Sequence, residues 1–466
     1  MTEVASRYDR SLVDGPLQAA VWKIAWPTMV ANAFAGLQGM VDQVLVGNLI
    51  GYQANAAIGV SWQILLVVIV FISSVFTGMS VLVARFAGAG ESDKVDRVVY
   101  QAFLTAMGLS LGIFAPIGYF AAPRLLDFVH ARPEVQVQAL PFLRIMFVCS
   151  SGMMVVFMIT GALQSAGDAK TPMRLGVTMT VMNLVLNVIL IRGLGPIPAF
   201  GTRGAAMGTS IAGGVVAVYA VYRLATGGWV VAFPRGRAGG FGPDWGIIRE
   251  LFRFGLPAGF QGVFMNIGGV LMQSFIGSLP QSAAAQGVFA VAYGELFAMI
   301  TWTSVGLQRS AATIAGQNLG ARQPDRAAAA VGIAARYGLT VAVGVGLCFA
   351  FLPRQLLGVF GMHDPAVLDI GVQLLRVLSV SGLFITVALA YTGGLQGTGD
   401  TTSPLYISLI SQMLVPLGIC FVIQETGTLQ TLHIWLAILA GHATRCALSA
   451  LRFRQGRWRE IVVNVQ

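Results

Sequence analysis

Apolar runs of twenty residues or so follow one another along almost the whole chain, and no other feature limits its fold so severely. A helix needs about 20 apolar residues to cross a bilayer. Lipid offers no hydrogen bonds, so a spanning segment must satisfy its own backbone as a helix or join a closed barrel. The runs lack the two-residue alternation of barrel strands, which leaves helices. Composition agrees: 56% of residues are hydrophobic and 10% charged, against about 25% charged in an ordinary soluble domain. The predicted fold class is an all-α membrane protein. Twelve transmembrane helices are expected at roughly 22–48, 55–84, 96–120, 138–163, 172–194, 204–225, 247–278, 284–308, 328–352, 368–395, 404–424 and 431–452.

The charges between these runs set an orientation. Twelve spans place both termini on one side. Of the 29 Lys and Arg residues, 22 fall on that side. The other seven are Arg124, Arg132, Arg144, Arg192, Arg203, Arg354 and Arg376. The positive-inside rule then puts both termini in the cytoplasm of a plasma (bacterial inner) membrane. In this setting the net charge of +10 does not indicate nucleic acid, since no basic stretch is interleaved with base-stacking aromatics. The four cysteines, Cys149, Cys348, Cys420 and Cys446, lie in separate apolar runs and read as free thiols. The first run starts near Ile24, carries Asp42 and lacks the short core and cleavage site of a signal peptide. There is no Gly-x-x-x-x-Gly-Lys-Ser/Thr loop for ATP, no metal-enzyme spacing and no nucleophile motif. The chain is therefore expected to be no enzyme, to need no cofactor, and to draw energy from an ion gradient.

The chain also repeats itself. Gly161, Leu163, Gln164, Gly167, Asp168 and Pro172 recur as Gly393, Leu395, Gln396, Gly399, Asp400 and Pro404, and Arg144 recurs as Arg376, all at one offset of 232. Pro27 matches Pro257, and Gly90 matches Gly320, at 230. Each repeat is a six-helix unit. An even helix number keeps the halves in the same orientation, related by an axis along the membrane normal. The expected domains are an amino-terminal bundle over 1–226, a cytoplasmic linker over 227–246 and a carboxy-terminal bundle over 247–466. Two bundles in one chain suffice as a monomer.

The residue with the strongest claim to chemistry is Asp42, a carboxylate within an apolar helix, where a charge costs about 2.5–3.5 kcal/mol on insertion scales. Desolvation favours its neutral form, which suits it to take up and release a proton. Asn183 and Asn187 lie one turn apart and share a face of helix 5, as interhelical glue or as part of a site. Glu295, in Tyr293-Gly-Glu-Leu, is the other buried carboxylate candidate, for a cationic substrate or a proton relay; the alternative is a structural pair with an arginine. Asp168 and Asp400 read as turn and capping residues, Arg144 and Arg376 as snorkelling or structural, and His442 and Arg445 as partners in a local polar contact. Met and Phe are taken as packing residues, a minority of which suit a forgiving pocket for flat cations.

Several of these segments resemble the MATE (multidrug and toxic compound extrusion) family over essentially the whole chain. They are Pro27 with Val41-Asp42-Gln-Val-Leu-Val-Gly47, Gly88-Ala-Gly90-Glu with its counterpart Gly316-Gln-Asn-Leu-Gly-Ala321, the two Leu-Gln-x-x-Gly-Asp helix ends, and Gly204-Ala-Ala-Met-Gly-Thr209. The resemblance implies two helical bundles and cation-driven efflux. It implies that Asp42 is the cation-coupling residue, joined by Asn183, Asn187, Ala205 and Thr209 in an amino-terminal site. Relatives can carry Asp where this chain has Asn187, and the lost charge favours protons over sodium; a sodium ion would use Asp42, Asn183 and Thr209. Some branches carry Glu in helix 7, where Met265 and Asn266 stand here as candidates for substrate or proton relay. Helix 10 also lacks a central Asp, so the pattern resembles the DinF-like branch. The predicted function is an antiporter that exports amphipathic, often cationic, small molecules across the lipid bilayer. A flippase for lipid-linked saccharides needs a basic cavity that this interior lacks, and a channel or receptor leaves the repeat and Asp42 without a role.

Overall fold

The computed structural model describes residues 7–50, 52–128, 133–234, 242–427 and 429–463, apart from the side chains of 40–44, 47–49, 52–53, 55–56 and 66–73. Twelve long helices account for most of them. They are α1 (Leu17–Leu49), α2 (Tyr52–Ala89), α3 (Ser92–Phe128), α4 (Pro133–Val148 continued by Ser150–Ser165), α5 (Lys170–Arg192) and α6 (Thr202–Thr226). The second set is α7 (Trp245–Gly277), α8 (Ser282–Gly320), α9 (Pro324–Phe351), α10 (Pro365–Thr398), α11 (Thr402–Glu425) and α12 (Thr431–Arg454). Among the described residues the only β pairing is the single bridge between Leu194 and Ile197. Among the described residues nine helices are each long and apolar enough to cross a membrane, or ten if the two limbs of α4 form one span. The chain is an all-α membrane protein, as predicted.

Several helices run past the apolar stretches that announced them. The apolar run expected to end near 308 belongs to α8, which continues to Gly320. Gln308 stands at the expected end and the extension carries Gln317 and Asn318, which break the hydropathy pattern. Two of these side chains make hydrogen bonds inside the protein. Gln308 Nε2 donates to Gln396 Oε1 at 2.9 Å, and Asn318 Nδ2 donates to the carbonyls of Ile314 (2.8 Å) and Leu12 (3.3 Å). In α4 the two limbs meet at 51° around Cys149, where one straight span is expected. Ser150 Oγ reaches back to the Phe147 carbonyl at 2.8 Å and across to Ser110 Oγ at 2.7 Å. A side chain inserted in this way opens the helical ladder. Ser110 itself begins a π-helical turn over Ser110–Phe114.

The contacts divide the chain into two units. Of the described residues, unit 1 holds 34–259 with 7–9, and unit 2 holds 10–33 and 260–463. The boundaries fall inside α1 and α7 rather than in the linker. The first part of α1 packs within unit 2, where Thr28 Oγ1 donates to the Gly306 carbonyl at 2.9 Å. A Cβ on Gly306 would lie 2.7 Å from Met29 Cα, so only glycine admits that approach. The first part of α7 packs within unit 1. There a Cβ on Gly255 or Gly78 would fall 1.9 Å from the carbonyl of Ser74 or Leu251. Each unit has its own core. In unit 1, Phe142, Leu143 and Phe147 meet Leu65 and Leu126. In unit 2, Trp435, Phe297, Phe349 and Leu374 gather around Ile276.

The repeat is visible in local geometry. Gly167 and Gly399 both close their helices at φ +100°. Each following aspartate then caps the next helix: Asp168 Oδ1 accepts from Thr171 N at 3.0 Å, and Asp400 Oδ1 from Ser403 N at 3.1 Å. The register at Gly90 is corrected. Gly90 turns at φ +78°, but Gly320 is helical, and the equivalent turn is made by Arg322 at φ +61°. The bonds match at offset 232: Glu91 N to Phe86 O (2.9 Å) corresponds to Gln323 N to Asn318 O (2.8 Å).

Candidate functional site

Within unit 1, α1, α5 and α6 bring polar side chains into one connected cluster. Asn183 and Asn187, each 1% exposed, lie on the buried face of α5 that their spacing required. Asn183 Oδ1 accepts from Gln38 Nε2 at 2.9 Å and from Asn187 Nδ2 at 3.3 Å. Asn183 Nδ2 donates to Thr209 Oγ1 at 3.0 Å, and Thr209 in turn donates to the Ala205 carbonyl at 3.1 Å. Thr180 Oγ1 donates to Gln38 Oε1 at 2.8 Å. The bonds form a chain in which each donor direction fixes the next, so the amide of Asn183 is held in one orientation.

The close approach of α6 to α5 depends on Gly208. A Cβ there would lie 2.1 Å from Asn187 Oδ1. The cluster therefore needs a residue without a side chain beside Thr209. The structure brings together Asn183, Asn187, Ala205 (through its carbonyl) and Thr209. The Asp42 side chain lies outside the described residues; its backbone belongs to α1, four residues after Gln38. Gln38 and Thr180 are members that sequence reasoning passed over. Their signal is positional: Gln38 stands one turn from Asp42, and Thr180 stands three residues from Asn183.

The groups in the cluster are amides, hydroxyls and carbonyls, uncharged and rich in oxygen. Groups of this kind can serve as oxygen ligands to a hard cation or hold an ordered chain of hydrogen bonds.

In unit 2 the candidates do not assemble in this way. Asn266 is exposed and bonds back to its own helix, donating to the Gly262 carbonyl at 2.8 Å. Met265 beside it is 38% exposed. Glu295 is half-buried in a π-helical stretch, Phe289–Leu296, and joins no ion pair among the described residues. A separate amide relay crosses the unit. It runs from Gln308 to Gln396 (2.9 Å), from Gln396 to Gln261 (3.1 Å) and from Gln261 to Ser408 (2.7 Å). Arg144, read as snorkelling or structural, donates to the Tyr119 carbonyl at 3.3 Å and lies over its ring. Asp400 pairs with Arg452 at 3.0 Å.

Two six-helix bundles of membrane-spanning helices, with a polar cluster buried between helices of one of them, define a polytopic transporter. The MatE family model matches residues 27–189 and 257–422, opening each time on the repeated proline, Pro27 or Pro257. The chain belongs to the MatE family, whose members are transporters rather than enzymes. A probable multidrug resistance protein NorM from Thermotoga maritima is 25% identical over 448 residues, covering 95% of this chain and 93% of the relative. Another from Pseudomonas putida is 27% identical, covering 93% of each chain. Among solved structures, an outward-facing multidrug resistance MATE transporter of the MOP superfamily superposes with a TM-score of 0.89 at 20% identity, covering 99% of this chain and 100% of that one. A MOP superfamily transporter from Pyrococcus furiosus, described as having reversed polarity in its binding pocket, matches with the same score, identity and coverage.

Proposed function

We propose that this chain is an ion-driven antiporter of the bacterial inner membrane that exports amphipathic, often cationic, small molecules, with Asp42 as the coupling carboxylate. The observation that carries the reading is the buried chain of hydrogen bonds through Gln38, Asn183, Asn187, Thr180 and Thr209, built one helical turn from Asp42. A change in the charge or ligation of Asp42 acts directly on this chain, and so on the packing of α1 against α5 and α6. The multidrug resistance relatives support export as the direction and drugs as the substrate class. Protons are favoured over sodium because Asn187 is neutral where relatives can carry an acid, as in the DinF-like pattern. The excess of Lys and Arg on the terminal side supports cytoplasmic termini. The chain acts as a monomer with two bundles, joined through 227–246, and Glu295 is its candidate contact for a cationic substrate.

The test is efflux of a fluorescent organic cation from proteoliposomes under separately imposed proton and sodium gradients. The proton gradient is expected to drive efflux, and Asp42→Asn to abolish it in protein that inserts and purifies normally. Gradient-driven efflux by Asp42→Asn at the wild-type rate would overturn the assignment.

A further inference from the structure

Arg445 stands inside α12, nine residues from the helix end at Arg454, or about 14 Å at 1.5 Å per residue. The sequence places it on this helix with a local polar contact as its expected role, and the structure keeps it there and buries it. Arg445 is 2% exposed, and its Nε has no hydrogen-bond partner. No ion pair or side-chain hydrogen bond among the described residues includes its guanidinium. An uncompensated charge in such a place is strongly destabilising.

The surroundings are built for a charge they do not themselves supply. Among the described residues Tyr293 and His442 interact with Arg445 electrostatically, and neither carries a carboxylate. Glu295 is two residues beyond Tyr293, and side chains two apart on a helix do not face the same way. Three further polar groups are buried without partners: His442 Nδ1 and Ser449 Oγ on α12 and Ser411 Oγ on α11. Ser411 and Ser449 are 0% exposed. The two helices touch here, since a Cβ on Gly441 would lie 2.5 Å from the Ser411 carbonyl. Gly441 is one turn before Arg445 on the same face. A column of rings walls the place off. His442 stacks on Phe297 (5.6 Å, 18°) and Tyr293 (6.4 Å, 12°), and Tyr293 on Phe289 (4.8 Å, 8°), which meets Trp435 (5.9 Å, 6°). Such a wall keeps water out and strengthens any charge pairing inside.

We propose that unit 2 holds a site for a compact monovalent anion at Arg445, with the Ser411 and Ser449 hydroxyls as further donors. The anion is either chloride from the medium or the carboxylate of a transported molecule, which share a single charge and small size. This site is separate from the cation coupling assigned to Asp42, and its test does not depend on that assignment.

The experiment is thermal unfolding of the purified full chain in detergent, titrated with sodium chloride, acetate or benzoate against sodium gluconate at constant ionic strength. Saturable stabilisation of the wild-type protein by chloride, or by acetate and benzoate, is expected. Chloride alone identifies an inorganic ion; response to the carboxylates identifies a substrate group. Arg445→Met is expected to lose the response at least tenfold in apparent affinity, and Arg445→Lys to keep part of it. If both variants fail to fold, anomalous scattering from bromide-soaked wild-type crystals decides, with a peak expected beside Arg445. No saturable response to any of the small anions, an equal response in Arg445→Met, or no bromide at Arg445 would overturn the proposal.

Discussion

Asn183 is bonded to three other side chains at once, accepting from Gln38 and Asn187 while donating to Thr209. Replacing it by alanine removes one hydrogen bond from each of the three neighbours. Interhelical hydrogen bonds in membranes are worth about 0.6 kcal/mol each and up to about 1.7. Asn183→Ala is therefore expected to lower stability by about 1–3 kcal/mol and to cut gradient-driven efflux at least tenfold, measured in proteoliposomes beside unfolding in detergent. Gly208→Ala tests the same cluster from the other side. Its Cβ must displace the Asn187 carbonyl oxygen, so efflux falls although no polar group is removed. The sequence exposed Asn183 and Asn187 through their one-turn spacing. It did not expose Gln38 or Thr180, because a lone Gln or Thr in a membrane helix has many uses and only the partner distinguishes them. Arg445 was placed on its helix from the sequence, but its burial depends on neighbours that hydropathy does not report.

At the scale of the element, helices α8 and α10 meet through glycine. A Cβ on Gly393 would lie 2.1 Å from the Gln308 carbonyl, and one on Gly397 2.0 Å from the Ala312 carbonyl. Small residues four apart let two membrane helices touch along their backbones. Gly397→Ala is expected to force them apart and lower stability by about 1–3 kcal/mol. Gly418→Ala, with nothing within 4 Å, should leave the unfolding midpoint unchanged or raise it slightly. Arg322→Gly should relieve a left-handed backbone at φ +61° and add up to about 0.5–1 kcal/mol after the entropy of glycine is counted. The long helices were legible because hydropathy reports them. The bend in α4 was not, because its cause, Ser150 bonding to Ser110, joins residues forty positions apart.

For the whole molecule, the duplication was readable from a single offset, and the family match reproduces it in two segments. The unequal chemistry of the halves was only partly readable. At offset 232, Asn183 and Thr209 correspond to Val415 and Gly441, so the second unit cannot repeat the polar cluster of the first. Two of its buried polar residues, His442 and Arg445, stand elsewhere on the equivalent helix.

Each half of the sequence lends its leading arm to the other unit: the first part of α1 completes unit 2, and the first part of α7 completes unit 1. Neither half of the chain therefore carries a whole unit. Fragments divided between Pro234 and Gly242 should accordingly yield folded transporter only when made in the same cell.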